Sequence, residues 1–222
     1  MNIFEILGPV MVGPSSSHTA GAVRIGYMAR RILGEAPVRA EILLHGSSAA
    51  TGSGHGTDRA LLAGLLGMEP DDSRIPDSRE EARRAGLDYS FASVSLRDAH
   101  PNTAVLTLWG GSGRSVKVQA SSLGGGRIMV NKIDDIRVDF TGEKPTLIVQ
   151  NEDRPGVLAS ITYALSAQDV NIATLQLYRN RRGGYAFTIA ETDSDIGEDV
   201  LLELRQMEGV LKVIRIASEE EL

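Results

Sequence analysis

Four short segments of this 222-residue chain concentrate side chains able to do chemistry. In Gly13-Pro14-Ser15-Ser16-Ser17-His18-Thr19, hydroxyls and an imidazole stand against an expected helix start. Free backbone N–H groups and the helix dipole there attract anions such as a small carboxylate. An ordinary N-cap would need only one of these serines. Thr51-Gly52-Ser53-Gly54-His55-Gly56-Thr57-Asp58 surrounds a histidine with glycines, which let backbone approach a ligand closely. Asp58 can orient His55 or cap the following helix; the segment also reads as a flexible loop with a capping aspartate. His100-Pro101-Asn102 offers another imidazole, although histidine before proline at a turn is commonplace. Ser121-Ser122-Leu123-Gly124-Gly125-Gly126 can wrap an anion in backbone N–H groups or simply join two strands. His45, beside Gly46-Ser47 at a strand end, reads as structural.

Several other chemistries are excluded. The glycines lack the G-x-G-x-x-G spacing of a dinucleotide site, and no Gly-Lys-Ser/Thr follows to make a P-loop. No H-E-x-x-H zinc site and no G-x-S-x-G nucleophile elbow is present. Cysteine is absent, which removes disulfides, a thiol nucleophile, thiolate zinc sites and a conventional iron–sulfur site in this chain. No metal site is expected here. The net charge of −6 argues against a nucleic-acid partner. No apolar run approaches the ~20 residues of a membrane span, and MNIFEILGPV lacks a basic n-region and a cleavage pattern. The expectation is a cytoplasmic protein with no membrane association.

These loops need a scaffold, and the chain divides in two. Residues 1–146 carry 16 basic and 16 acidic side chains, so the whole net charge lies in the last third. Thr141-Gly142-Glu143-Lys144-Pro145 reads as a linker. The expected domains are 1–141 and 147–222. In the first, the serine run is expected to cap a helix striped by Ile25, Met28, Ala29 and Ile32 and ended by Gly34. Val38 to Leu44 alternates as a strand. Thr57 or Asp58 is expected to cap a second helix, and Ser78 with Glu81 to form a capping box for a third. Strands are expected at 91–96, 103–108, 116–120 and 128–130. The second part reads βαββαβ: an apolar strand at 147–150, a turn at Asn151–Gly156, and a helix with Val157, Leu158, Ile161, Ala164 and Leu165 inward. Then come a strand, an Arg181–Gly184 hairpin loop, a second strand, a helix over 195–207 and a last strand.

Taken together, GPSSSHTAGAVRIG, GHGTDRALLAGLLG, HPNT and SSLGGG resemble the β chain of the bacterial two-chain iron–sulfur L-serine dehydratase (L-serine ammonia-lyase). The resemblance covers essentially the whole chain, with one departure: Ser48 stands where the family is expected to carry an aromatic residue. It implies an α+β protein. The N-terminal mixed α/β sandwich domain would be related to the allosteric substrate-binding domain of some phosphoglycerate dehydrogenases, and a ferredoxin-like ACT domain would follow. It implies conversion of L-serine to pyruvate and ammonia by β-elimination, using a 4Fe–4S cluster ligated by a partner α chain and no pyridoxal phosphate. This chain alone would be inactive. On this resemblance His18, His55 and His100 are candidate catalytic residues. Ser16, Ser17, Thr19, Asp58, Asn102, Ser122, Gly124 and Gly125 are candidate substrate-binding residues. Asp153, Pro155, Gly156 and Asn171 are candidate regulatory residues of the ACT domain, through which self-association is also expected. The alternative is a non-catalytic amino-acid-binding regulatory protein.

Overall fold

A computed structural model describes residues 16–51 and 56–217. The chain forms two compact units, divided between Phe140 and Thr141. The first is built on a six-stranded sheet of β1 (Pro37–His45), β2 (Asp88–Val94), β3 (Thr103–Gly110), β4 (Ser115–Gly124), β5 (Arg127–Ile133) and β6 (Ile136–Phe140). The strand order is β2-β1-β3-β4-β5-β6. Only β1 and β2 pair in parallel. A parallel pair needs a long crossover. Residues 46–87 supply it through α2 (Ser47–Thr51), α3 (Thr57–Leu65), a 3-10 turn (Ile75–Asp77) and α4 (Ser78–Arg84). Before β1 runs α1 (Gly21–Leu33), entered through a single π-helical turn, Ser16–Ala20.

Alternation along the strands builds the core. Ile42, Leu106 and Val118 stand opposite one another across β1, β3 and β4 and are fully buried. Ala40, Leu108 and Val116 form the next row. Helix α1 lies across β3, β4 and β5 and packs on α3. In α3 every residue except Arg59 is buried, as expected of a helix enclosed on all sides. The two helices approach unusually closely. A Cβ at Gly64 would stand 2.0 Å from the Val23 carbonyl oxygen, and one at Gly26 would stand 2.3 Å from that of Leu61. Only glycine at both positions allows this contact of backbone on backbone.

The helix starts differ from expectation. Ala20, in helical conformation, is the N-cap of α1, and no side chain caps it, because the chain is already wound in the π turn. Gly56 precedes α3 with φ 74°, so Thr57 and Asp58 are its first residues and not its caps. The Ser78–Glu81 capping box does not form. Ser78 lies inside α4, and its hydroxyl donates instead to the Arg59 carbonyl at 2.7 Å. Strand β6 escaped notice in the sequence, although Ile136, Val138 and Phe140 alternate inward against Arg137 and Asp139.

The second unit has the order β7 (Thr146–Glu152), α5 (Val157–Ala167), β8 (Ile172–Arg179), β9 (Tyr185–Thr192), α6 (Glu198–Gln206), β10 (Val210–Ile216). Its sheet runs β10-β7-β9-β8, antiparallel throughout. Leu147, Val149 and Ala190 of one sheet face enclose a core with Val157, Ile161, Ala164 and Leu165 of α5 and Val200, Leu201 and Leu204 of α6. This is the expected βαββαβ arrangement.

Replacing Gly64 by alanine sets two effects against each other. Alanine favours a helix interior by about 1 kcal/mol over glycine. Overpacking costs about 1–3 kcal/mol, and here the obstacle is a carbonyl oxygen that cannot rotate away. Gly64→Ala is expected to lower the denaturation midpoint. An unchanged or raised midpoint in a urea titration would show that the helices can move apart freely.

Candidate active site

The described parts of all four motif segments lie at one end of the first sheet. There β1 and β4 finish and β3 and β5 begin. The π turn packs against both α3 and β4. The turn that carries His18 and Thr19 is thereby packed between α3 and β4. Helix α3 begins with Thr57 and Asp58, and the dipole at a helix start favours negative charge.

The buried polar atoms at this corner are the main observation. Thr19 and Thr57 are each 3% exposed, Asp58 6% and Ser122 2%. Thr19 Oγ1, Thr57 Oγ1, Asp58 Oδ1 and Ser122 Oγ are shut off from solvent and have no hydrogen-bond partner among the described residues. Most buried polar groups in proteins are bonded, so four orphans in one corner call for a ligand or another functional reason. Asp58 Oδ2 is held by the guanidinium of Arg79. His18 is half-buried, with Nε2 out of solvent. Ser16 and Ser17 lie in the π turn. His55 lies outside the described residues.

The glycine run is the tip of the β4–β5 hairpin. Gly124 pairs with Arg127, and Gly125 and Gly126 both have positive φ, as a two-residue primed turn requires. The loop is fastened to α1, because Arg24 Nη1 donates to the Gly126 carbonyl at 2.9 Å.

His100 is exposed and is placed by backbone. Its Nδ1 accepts the Asn102 N–H at 3.1 Å. In the neutral ring the proton then sits on Nε2, so the outward nitrogen is a donor. The Asn102 side chain turns elsewhere, its Oδ1 accepting from the Ser47 hydroxyl. Beside it, Thr103 Oγ1 donates to the His100 carbonyl at 2.6 Å and lies 2.8 Å from Ser121 Oγ. Ser121 also bonds Asn131 Oδ1 at 2.7 Å. Ser121 and Ser122 thus face opposite sides of β4, one in a satisfied network and one in the orphan cluster. His45 Nδ1 accepts the Leu96 N–H at 3.2 Å, which fits its structural reading. Sequence reasoning missed Arg79, Arg24 and Ser47. Nothing local marks them, since their partners lie 21, 102 and 55 residues away.

In the second unit the turn after β7 is built by Asp153. Its Oδ2 accepts the Gly183 N–H at 2.9 Å and lies 3.4 Å from Arg179 Nη1, tying the turn to the β8–β9 hairpin. Gly156 precedes α5 at φ 93°, with open space where a Cβ would be. Pro155 is exposed beside it. The hydrogen bond to Glu152, with Glu208 adding, holds Arg154 more firmly protonated than an ordinary arginine. Asn171 is not brought to this turn. It precedes β8 at the opposite end of the sheet, where its Nδ2 donates to Asp193 Oδ2 at 2.5 Å.

The two serines provide a test. Ser122→Ala removes a buried hydroxyl with no partner among the described residues, so stability in a chemical denaturation should stay level or rise by about 1 kcal/mol. Ser121→Ala strips Thr103 and Asn131 of a partner and should cost about 1 kcal/mol. Equal losses would mean that the Ser122 hydroxyl is used by the fold.

Comparison with known proteins agrees with this division of the chain. The serine dehydratase beta chain family matches residues 2–88, and the ACT domain family matches residues 145–209. The chain is 35% identical over 216 residues to the probable L-serine dehydratase beta chain of Bacillus subtilis, covering 97% of this chain and 98% of that one. It is 40% identical over 198 residues to the L-serine dehydratase beta chain of Peptoniphilus asaccharolyticus, covering 89% of each. A more distant relative is the D-3-phosphoglycerate dehydrogenase of Bacillus subtilis, 23% identical over 156 residues, covering 70% of this chain and 30% of that one. Similarity over nearly the full length of both beta chains places this protein in the L-serine dehydratase beta-chain family, with a C-terminal ACT domain.

Proposed function

We propose that this chain is the β subunit of an iron–sulfur-dependent L-serine dehydratase, which converts L-serine to pyruvate and ammonia together with an α chain. The corner of orphaned buried oxygens carries this reading. A small polar zwitterion would satisfy groups that the fold leaves unsatisfied. The domains are taken as 1–141 for catalysis and 147–222 for the ACT module, in a cytoplasmic heteromer.

β-Elimination breaks the Cα–H bond and the Cβ–O bond and forms the Cα=Cβ double bond. Hydroxide with a proton leaves as water, and the enamine goes on to pyruvate and ammonia. The step needs a base, a donor for the leaving oxygen, a Lewis acid and a carboxylate holder. A 4Fe–4S cluster held by cysteines of the α chain supplies the Lewis acidity, and no pyridoxal phosphate takes part. The residues of this chain do not fit such a cluster. Cysteine is absent, and among the described residues no three histidines or acidic side chains are grouped to hold a metal.

The chain's own residues bind and move protons. The hydroxyls of Ser16, Ser17, Thr19 and Ser122 and the backbone N–H groups near Gly124 and Gly125 hold the carboxylate. His18 stands beside them. His55, flanked by Gly54 and Gly56 in the sequence, is the proton acceptor. His100 carries its proton outward on Nε2 because Nδ1 is engaged by the Asn102 N–H, which suits a donor. In the ACT domain, the turn of Asp153, Pro155 and Gly156 receives an amino acid or serves self-association, with Asn171 at the far end of the sheet.

Co-expression with a cysteine-bearing α chain should yield a brown complex that forms pyruvate from L-serine, while this chain alone shows no turnover. Two proteins that purify separately would favour a regulatory amino-acid-binding role instead. In the complex, His55→Ala and His100→Ala should each lower turnover by about 10²–10⁴-fold. Near-normal turnover in both would remove the proton-transfer assignment. Calorimetry of this chain with millimolar L-serine tests the ACT site: heat and thermal stabilisation are expected, and their absence would leave only self-association.

A further inference from the structure

We infer that Asp58 recognises the α-ammonium of the substrate and that Arg79 is its positioning residue; the inference rests on the amino-acid substrate reading above. The Asp58 carboxylate is divided. One oxygen, Oδ2, takes the Arg79 guanidinium, while Oδ1 is buried with no partner among the described residues. A carboxylate oxygen kept from water needs a donor, and a cation serves best. Oδ1 therefore marks a place for a cationic group that no described residue supplies.

The setting narrows the class of cation. Thr57 Oγ1, the preceding side chain, is another buried oxygen without a partner among the described residues; Thr19, in the turn packed on α3, and Ser122, on the strand that the same turn touches, add two more. A compact cation with several N–H donors can bond Asp58 and a neighbouring hydroxyl at once. A primary ammonium has three such donors. An amino acid brings one cationic and one anionic end. Hydroxyls and helix-start N–H groups suit the anion. Across the four motif segments Asp58 is the only acidic side chain, so it is the only group there that matches the cation by charge.

Arg79 acts from the other side of the carboxylate. It stands second in α4, and that helix is fastened to the start of α3 by the Ser78 hydroxyl on the Arg59 carbonyl at 2.7 Å. The guanidinium keeps Asp58 compensated when the ligand is absent and leaves Oδ1 free for it. The described contact is a single Nη2–Oδ2 approach, which a lysine ammonium can reproduce.

The test uses the complex with the α chain and calorimetric binding of two ligands. L-Serine carries the ammonium; 3-hydroxypropanoate keeps the carboxylate and hydroxyl and lacks it. Asp58→Asn should weaken L-serine about 10²-fold, as expected for loss of a buried charge partner, and leave 3-hydroxypropanoate within about threefold. Arg79→Gln should weaken L-serine about tenfold by the same route, and Arg79→Lys should restore it. Equal weakening of both ligands by Asp58→Asn would make Asp58 a purely structural residue and overturn the inference. So would undiminished serine binding. If the unaltered complex binds neither ligand and forms no pyruvate, the substrate-site reading itself fails, whatever the Asp58 variants do.

Discussion

The first unit depends on the crossing of α1 and α3 at Gly26 and Gly64. With no side chain at either position, the carbonyl of one helix lies where the other would carry a Cβ. That approach closes the layer over β3, β4 and β5, and it sets where both helices begin. The π turn before α1 packs against α3 as well.

The corner itself is left unstable. Four buried oxygens without partners among the described residues cost free energy that a purely structural sequence would avoid. Two positions along the same region of sheet, the fold shows how it satisfies such groups when it has no other use for them. Thr103, Ser121 and Asn131 bond in a chain, and the His100 carbonyl joins it. Adjacent residues of β4 thus serve opposite ends. The β-strand period of two points Ser121 to one face, where its hydrogen bonds are made, and Ser122 to the other, where they are not.

The second unit handles its polar groups differently. Asn151 is buried, yet its Oδ1 accepts from Thr188 at 2.9 Å and its Nδ2 donates to the Glu152 carbonyl at 2.9 Å. Asp153 is occupied by the neighbouring hairpin. The turn is therefore a finished piece of structure, with backbone freedom concentrated at Gly156. Asn171 stands a strand's length away, because β8 runs in the same direction as β7 and starts at the far end of the sheet.

The amino-acid sequence by itself determined the order of elements in the second unit, since each helix and strand there carries its own apolar period over a few residues. It also marked four segments as candidates for chemistry, because hydroxyl, imidazole and glycine are concentrated there beyond what turns require. Helix starts were less legible. Ser78 could bond its own helix or the Arg59 carbonyl, and only packing chose the second. Strand β6 was written in the alternation of Ile136, Val138 and Phe140 but is only five residues long. The tertiary structure alone decided which oxygens are left unpaired among the described residues, that Arg79 meets Asp58, and that Arg24 holds the glycine hairpin. Those contacts join residues far apart in the chain, and no local period encodes a partner that distant.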